Sequence, residues 1–206
     1  GVQTCALPIF YDPAKVTLAT SAGGNTNLGR SRRSGVELRL ESNPVKELNL
    51  YASYTWMEAY VRKTSSSAWG PFPGRSLGQV PENRYTLGAS AVPFRRVGFP
   101  FDGFKLSLDG TFTGKQHPAY YESTSETDLN AAGCWIKPYS VWNAMASYEW
   151  KKKIFYCKIN NLFDERYFSR AIASTSSGTA IMPAGSYLYV NPGAPREFVL
   201  GMSWEF

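Results

Sequence analysis

The chain has 206 residues, of which 43% are hydrophobic and 15% aromatic, and a net charge of +6. No apolar run approaches the ~18 residues of a membrane-spanning helix, and one histidine, His117, with no nucleophile set, phosphate loop or carboxylate dyad around it, gives an enzyme little to use. The basic residues are scattered rather than striped, which argues against nucleic acid, and Cys5, Cys134 and Cys157 lack metal-ligand spacing, so no catalytic residue, metal or cofactor is expected.

Residues 1–9 resemble the translation of a common short-read sequencing adapter, so the reading frame is expected to continue upstream, with Cys5 an artefact and the protein's own sequence running from 10 to 206. Residues 10–20 can hold a first strand. From 35 the signal is period-two alternation, which puts one set of side chains on each face of a strand. Over 35–41, Val36, Leu38 and Leu40 oppose Glu37, Arg39 and Glu41. Over 47–57, Leu48, Leu50, Ala52, Tyr54 and Trp56 oppose Asn49, Tyr51, Ser53 and Thr55. A weaker alternation over 82–93 runs through Tyr85, Leu87, Ala89 and Ala91.

Over 103–113, Phe104, Leu106, Leu108, Gly110 and Phe112 oppose Lys105, Ser107, Asp109, Thr111 and Thr113. Over 139–150, Trp142, Ala144, Ala146, Tyr148 and Trp150 share a face. Lys151 and Lys152 read as a turn into a strand over 153–162 that carries Phe155, Cys157 and Ile159. The last segment, 196–206, is the clearest: Phe198, Leu200, Met202, Trp204 and Phe206 oppose Glu197, Val199, Gly201, Ser203 and Glu205.

Links near 42–46 and 151–152 are short and 94–102 is medium, whereas 58–81, 114–138 and 163–195 are long. Short turns on one side and long loops on the other mark an outer-membrane barrel. Strands of about 10 residues at roughly 3.3 Å each, tilted about 45°, span about 24 Å, the height of a barrel's apolar band. The charges fall on one face, and aromatic residues cluster at the strand ends: Phe104, Trp150, Trp204 and Phe206 at one, Tyr54, Trp56, Phe112 and Trp142 at the other. The predicted fold is all-β: an antiparallel transmembrane β-barrel meander, incomplete, of about seven or eight strands. A soluble antiparallel sheet also alternates, and a soluble β-rich binding module stays open.

Several motifs add a resemblance. Ser34-Gly-Val-Glu37, Gln79-Val-Pro-Glu-Asn83, Lys158-Ile-Asn-Asn-Leu-Phe-Asp-Glu-Arg-Tyr167 and Pro192-Gly-Ala-Pro-Arg196 resemble, in order and spacing, segments of TonB-dependent outer-membrane receptors. The ending, with Gly201, Trp204 and Phe206, resembles the signal read by barrel-assembly machinery, although Val199 stands where a polar residue is usual. Physically, Asn160, Asn161 and Asp164 suit backbone groups left open where a strand leaves the wall, and Pro192 and Pro195 bracket a turn.

The resemblance implies the last third of a plugged barrel in the bacterial outer membrane. It implies active uptake of a scarce ligand, most often a ferric siderophore, driven by TonB through an N-terminal region absent from this chain. Expected partners are that ligand, TonB, the assembly machinery and outer-membrane lipid. The long loops carry Trp69, Phe72, Arg75, Trp135 and Tyr189, with Tyr120, Tyr121, Arg170 and Tyr187 the expected ligand contacts, because flat phenols and a guanidinium suit an anionic iron chelate. A passive porin-like or structural barrel is the alternative within the membrane.

Overall fold

A computed structural model describes residues 2–11, 17–19, 25–27, 29–64, 74, 76–98, 100, 102–120, 135–174 and 187–204, with backbone only up to 29 and at 64, 119–120, 172–174 and 187–189. In chain order the strands are β1 (Val2–Tyr11), β2 (Thr17–Ala19), β3 (Asn25–Asn27), β4 (Gly29–Val45), β5 (Leu48–Thr64), β6 (Asn83–Ala91) and β7 (Phe104–Thr113). They continue as β8 (Ala119–Tyr120), β9 (Tyr139–Trp150), β10 (Lys153–Asn160), β11 (Phe168–Ser174), β12 (Tyr187–Pro192) and β13 (Glu197–Trp204). No helix occurs among the described residues.

Eight strands form one sheet in the order β1-β4-β5-β6-β7-β9-β10-β13, antiparallel throughout. This is the expected meander, made of sequence neighbours except where a long loop intervenes. The register puts the alternating sets where the sequence reading puts them. Leu50, Ala89, Leu108 and Ala144 align across four strands on the apolar face, followed by Ala52, Leu87, Gly110 and Trp142 one row on. Their side chains stay open, Leu200 being 80% exposed, because the apolar face of a barrel wall meets lipid rather than a second protein layer.

Three expectations need correction. The strand expected over 10–20 lies earlier, with Val2–Tyr11 paired along β4 and Thr17–Ala19 in a separate hairpin with β3. A ladder is made by backbone groups, and Pro8 is tolerated in β1 because an edge strand has a side with no partner to serve. Next, 58–64 is strand, not loop. The 17 residues of β4 and of β5 extend about 56 Å at roughly 3.3 Å each, or about 40 Å if tilted 45°, so they outrun a 25 Å apolar band on the long-loop side.

Finally, the loops 114–138 and 163–195 are not irregular throughout. They supply β8, β11 and β12, which form a second sheet in the order β12-β11-β8. Alternation does not announce these strands, since they have no lipid face to pattern them.

Buried side chains gather at this same end. Ala59, Val61 and Leu77 form a small core with Val80 packed against it, and Ile136, Pro118 and Ala171 are buried nearby. The segment 74–82 makes this core by running back along β5, with Leu77 N donating to Ala59 O at 2.8 Å and Gly74 N to Val61 O at 2.7 Å.

Candidate ligand-facing wall and loop junction

On the polar face one row crosses the sheet. Glu41, Tyr51, Gly88, Asp109 and Asn143 are register partners in turn, and Asn160 pairs with Glu197 further along. Side-chain amides tie the carboxylates down: Asn143 Nδ2 donates to Asp109 Oδ2 at 2.8 Å, Asn160 Nδ2 to Glu197 Oε2 at 2.9 Å and Asn49 Nδ2 to Glu41 Oε1 at 3.2 Å. The Tyr51 ring lies across Gly88, where a Cβ would overlap it. Such a face needs water or a polar partner against it, because an apolar layer would strand its charges.

The apolar face carries aromatic clusters at both ends. At the long-loop end Tyr54 stacks on Tyr85 at 4.8 Å and Tyr85 meets Phe112 at 5.6 Å. At the short-turn end Phe94 meets Phe104 at 5.9 Å, while Lys151 and Lys153 lie over the Trp150 and Trp204 rings. These are the two belts that interfaces with water favour.

Where β10 leaves the wall, Asn161 is 2% exposed and forms a hub. Its Nδ2 donates to Glu165 O at 2.9 Å and to Ala194 O at 3.0 Å, and its Oδ1 accepts from Glu165 N at 2.8 Å. Asp164 Oδ1 accepts from Arg196 N at 3.0 Å. Asn161 and Asp164 both have positive φ, at 51° and 54°, a conformation that Asn and Asp tolerate best among side-chain-bearing residues. Tyr139 stacks on Tyr167 at 4.2 Å, and the Tyr167 ring covers Gly193. The two motifs thus knot the exit and return of one loop, the structural role expected of Asn161 and Asp164, whereas Asn160 donates to the Glu197 carboxylate rather than to a backbone group.

The expected ligand residues fall as follows. Ala173 in β11 pairs with Tyr120 in β8, and Ser174 pairs with Tyr187 in β12. Arg170 is exposed on β11 opposite Asn191. Three of the four therefore share one small sheet, and Tyr189 lies in its strand β12. Tyr121, Trp69, Phe72 and Arg75 lie outside the described residues, as do Cys134, Glu205 and Phe206. Trp135 is taken up by loop packing: the His117 ring lies tilted against it with centroids 3.7 Å apart, and Lys115 Nζ lies 4.5 Å from its ring centre. Of the expected assembly residues, Gly201 sits in β13 under the Tyr156 ring and Trp204 ends that strand on the apolar face.

Sequence reasoning placed Gln79 at the head of a motif leading into a strand but missed its partners. Its backbone N donates to His117 O at 2.7 Å and its Nε2 to Ala171 O at 3.2 Å, joining all three long loops. No local signal marks partners 38 and 92 residues away.

A family described as TonB dependent receptor-like, beta-barrel matches residues 8–162. The chain is 27% identical over 158 residues to a probable TonB-dependent siderophore receptor, PiuA, of Acinetobacter baumannii, covering 72% of this chain and 19% of that protein. It is 28% identical over 171 residues to the ferrienterobactin receptor of Escherichia coli K12, covering 79% of this chain and 20% of that protein. The chain thus spans about a fifth of the length of these curated relatives. The crystal structure of the Acinetobacter PiuA receptor superposes with a TM-score of 0.62 at 19% identity, over 98% of this chain and 26% of that one. The ferric yersiniabactin uptake receptor FyuA of Yersinia pestis gives 0.65 at 14% identity, over 100% and 30%. At these identities the superpositions show the fold alone. With the profile covering most of the chain, the fold and the sequence agree, and the chain belongs to the TonB-dependent receptor β-barrel family, whose members are outer-membrane receptors and not enzymes.

Proposed function

We propose that this wall serves a receptor that takes up a ferric siderophore by TonB-dependent transport. Residues 10–206 would be the C-terminal part of its barrel, with the plug and the TonB-contacting segment encoded upstream and residues 1–9, although they pair along β4 and the family match begins at residue 8, foreign to it. No covalent step is involved. Ligand is captured outside by the loops and released inward along the polar face.

The observation that carries this reading is the pairing of β11 with β8 on one side and β12 on the other, which gathers the positions of Tyr120, Arg170 and Tyr187 into one sheet at the long-loop end. Rings and a fixed cation suit a flat, anionic chelate. Of the curated relatives above, one is named a probable TonB-dependent siderophore receptor and the other a ferrienterobactin receptor.

The experiment is growth under iron limitation by a strain carrying the complete gene as its only ferric receptor. It should use a ferric chelate, and Tyr120→Ala with Tyr121→Ala should weaken that use. Growth that responds to cobalamin or an oligosaccharide and never to iron overturns the cargo. The proposed reading of the C-terminus by assembly machinery is tested by deleting Phe206, which should lower the amount of folded barrel in the outer membrane. Unchanged heat-modifiable gel mobility and yield count against it.

A further inference from the structure

We infer that Gln79 is a positioning residue that couples the described roots of the three long loops, at 76–82, 114–120 and 168–174, to the barrel wall, so that these roots are held as one body beside the capture surface. This rests on the receptor reading above and adds the device that holds its capture surface in place.

Gln79 lies four residues before β6, whose strand is paired on both sides in the main sheet. It is therefore anchored to the wall rather than to a free loop. Its backbone N reaches His117 O at 2.7 Å, two residues before β8, and its side-chain Nε2 reaches Ala171 O at 3.2 Å, within β11. The next residue of β11, Ile172, pairs with Ala119, the first of β8. One residue thus grips both strands at the root of their parallel pair. Ala171 is 1% exposed, so its carbonyl side is packed rather than freely hydrated.

The backbone at this position supports a selected role. Gln79 has a φ of 61°, a left-handed conformation that residues with a Cβ other than Asn and Asp rarely adopt. Its neighbour Gly78 could take such a conformation without cost, yet the left-handed position falls on Gln79. Local strain of this kind persists where surrounding contacts over-determine it. Those contacts need a donor, because Ala171 offers a carbonyl. A carboxylate of the same size accepts only and would face that oxygen unfavourably.

The test compares Gln79→Glu and Gln79→Gly in the full-length receptor. Glu keeps the size and loses the donor; Gly relieves the backbone and keeps the bond to His117 while losing the amide. Hydrogen exchange over 119–120 and 168–174 should rise about three- to tenfold in both, the factor that one neutral hydrogen bond corresponds to. Exchange over 104–113 and 139–150 should hold at the wild-type rate, as should heat-modifiable mobility. Ferric enterobactin and ferric citrate serve as probes, and whichever the wild type retains should dissociate faster from both variants. Unchanged exchange over 168–174 overturns the inference, and so does a rise spread equally through the wall strands, which marks a merely structural residue. If exchange rises only in the loops while neither iron complex binds the wild type, the coupling stands and ferric enterobactin and ferric citrate are excluded as cargo.

Discussion

The phenol ring of Tyr156 in β10 lies flat across Gly201 in β13, its register partner, so closely that a Cβ at 201 would overlap the ring. Tyr51 and Gly88 repeat the arrangement on the same face, and Trp142 covers Gly110 on the other. An aromatic ring laid over a bare backbone restores the packing that a glycine gives up in a strand.

Gly201 therefore has a folded-state reason to be glycine. Gly201→Val should destabilise the full receptor by about 1–3 kcal/mol through overpacking, and Tyr156→Ser should remove most of that penalty when combined with it. Chemical unfolding of the four proteins gives the coupling. If position 201 acts only as an assembly signal, yield falls in both backgrounds and the unfolding midpoints of folded protein stay additive.

Leu200 projects from the apolar face of β13, 80% exposed in the bare wall and opposite Cys157, another apolar-face residue. Leu200→Arg should cost roughly 2–4 kcal/mol if it lies near the bilayer midplane. The same change at Val199, on the polar face, should cost far less. Guanidinium unfolding from lipid vesicles reads both, and equal costs would mean that the faces have been assigned wrongly.

The turn between β4 and β5 is clamped to the 92–98 segment. Val92 N donates to Glu47 O at 2.8 Å, and Arg96 Nε meets Glu47 Oε1 at 3.2 Å. The hydrogen bond from Arg96 holds the Glu47 carboxyl below the usual carboxylate range. A folded value below the unfolded one adds stability at neutral pH and loses it as pH falls from the unfolded value, about 4.3, through the folded one. The wild type should thus lose stability more steeply than Glu47→Gln below about pH 4.3, and the gap should be constant above pH 6. Parallel acid limbs would show that Arg96, whose side chain is 80% exposed, contributes nothing measurable.

The wall was legible because lipid on one side and polar contents on the other impose a period of two on every strand that crosses. Leu106, Leu108 and Phe112 follow that rule, and the face each one takes was legible in advance, whereas their register partners come from the ladder itself. The loop architecture was not legible. Ile172 meets Ala119 and Gln79 meets Ala171 across long separations, and no periodicity encodes such pairings. The ligand residues were chosen by chemistry, and their shared sheet is a fact of topology that chemistry alone does not supply. Asn161 stands between these cases. Its residue type announced a capping role, but not its second partner 33 residues on.

That second partner makes Asn161 the most exacting position to test. It is 2% exposed, donates to Glu165 O and Ala194 O, and accepts from Glu165 N. Asn161→Ala removes all three bonds and leaves buried groups unpaired, so about 2–4 kcal/mol should be lost. Ala also inherits the φ of 51°, which costs a residue with a Cβ about 1 kcal/mol or more. Asn161→Gly escapes that part and should therefore be the milder change. Asn161→Asp keeps the acceptor for Glu165 N but aims a buried charge at two carbonyls, and should be at least as harmful as Ala at neutral pH. The order Gly, Ala, Asp, from the highest unfolding midpoint to the lowest, separates hydrogen bonding from backbone strain. Because this knot fixes both the exit and the return of the 163–195 loop, faster hydrogen exchange should spread from 161–167 into 192–197. If Ala and Gly both cost under ~0.5 kcal/mol and exchange at 192–197 is unmoved, the side-chain bonds of Asn161 do not hold the loop root and the backbone bond of its N to Asn143 Oδ1 at 3.1 Å carries that role instead.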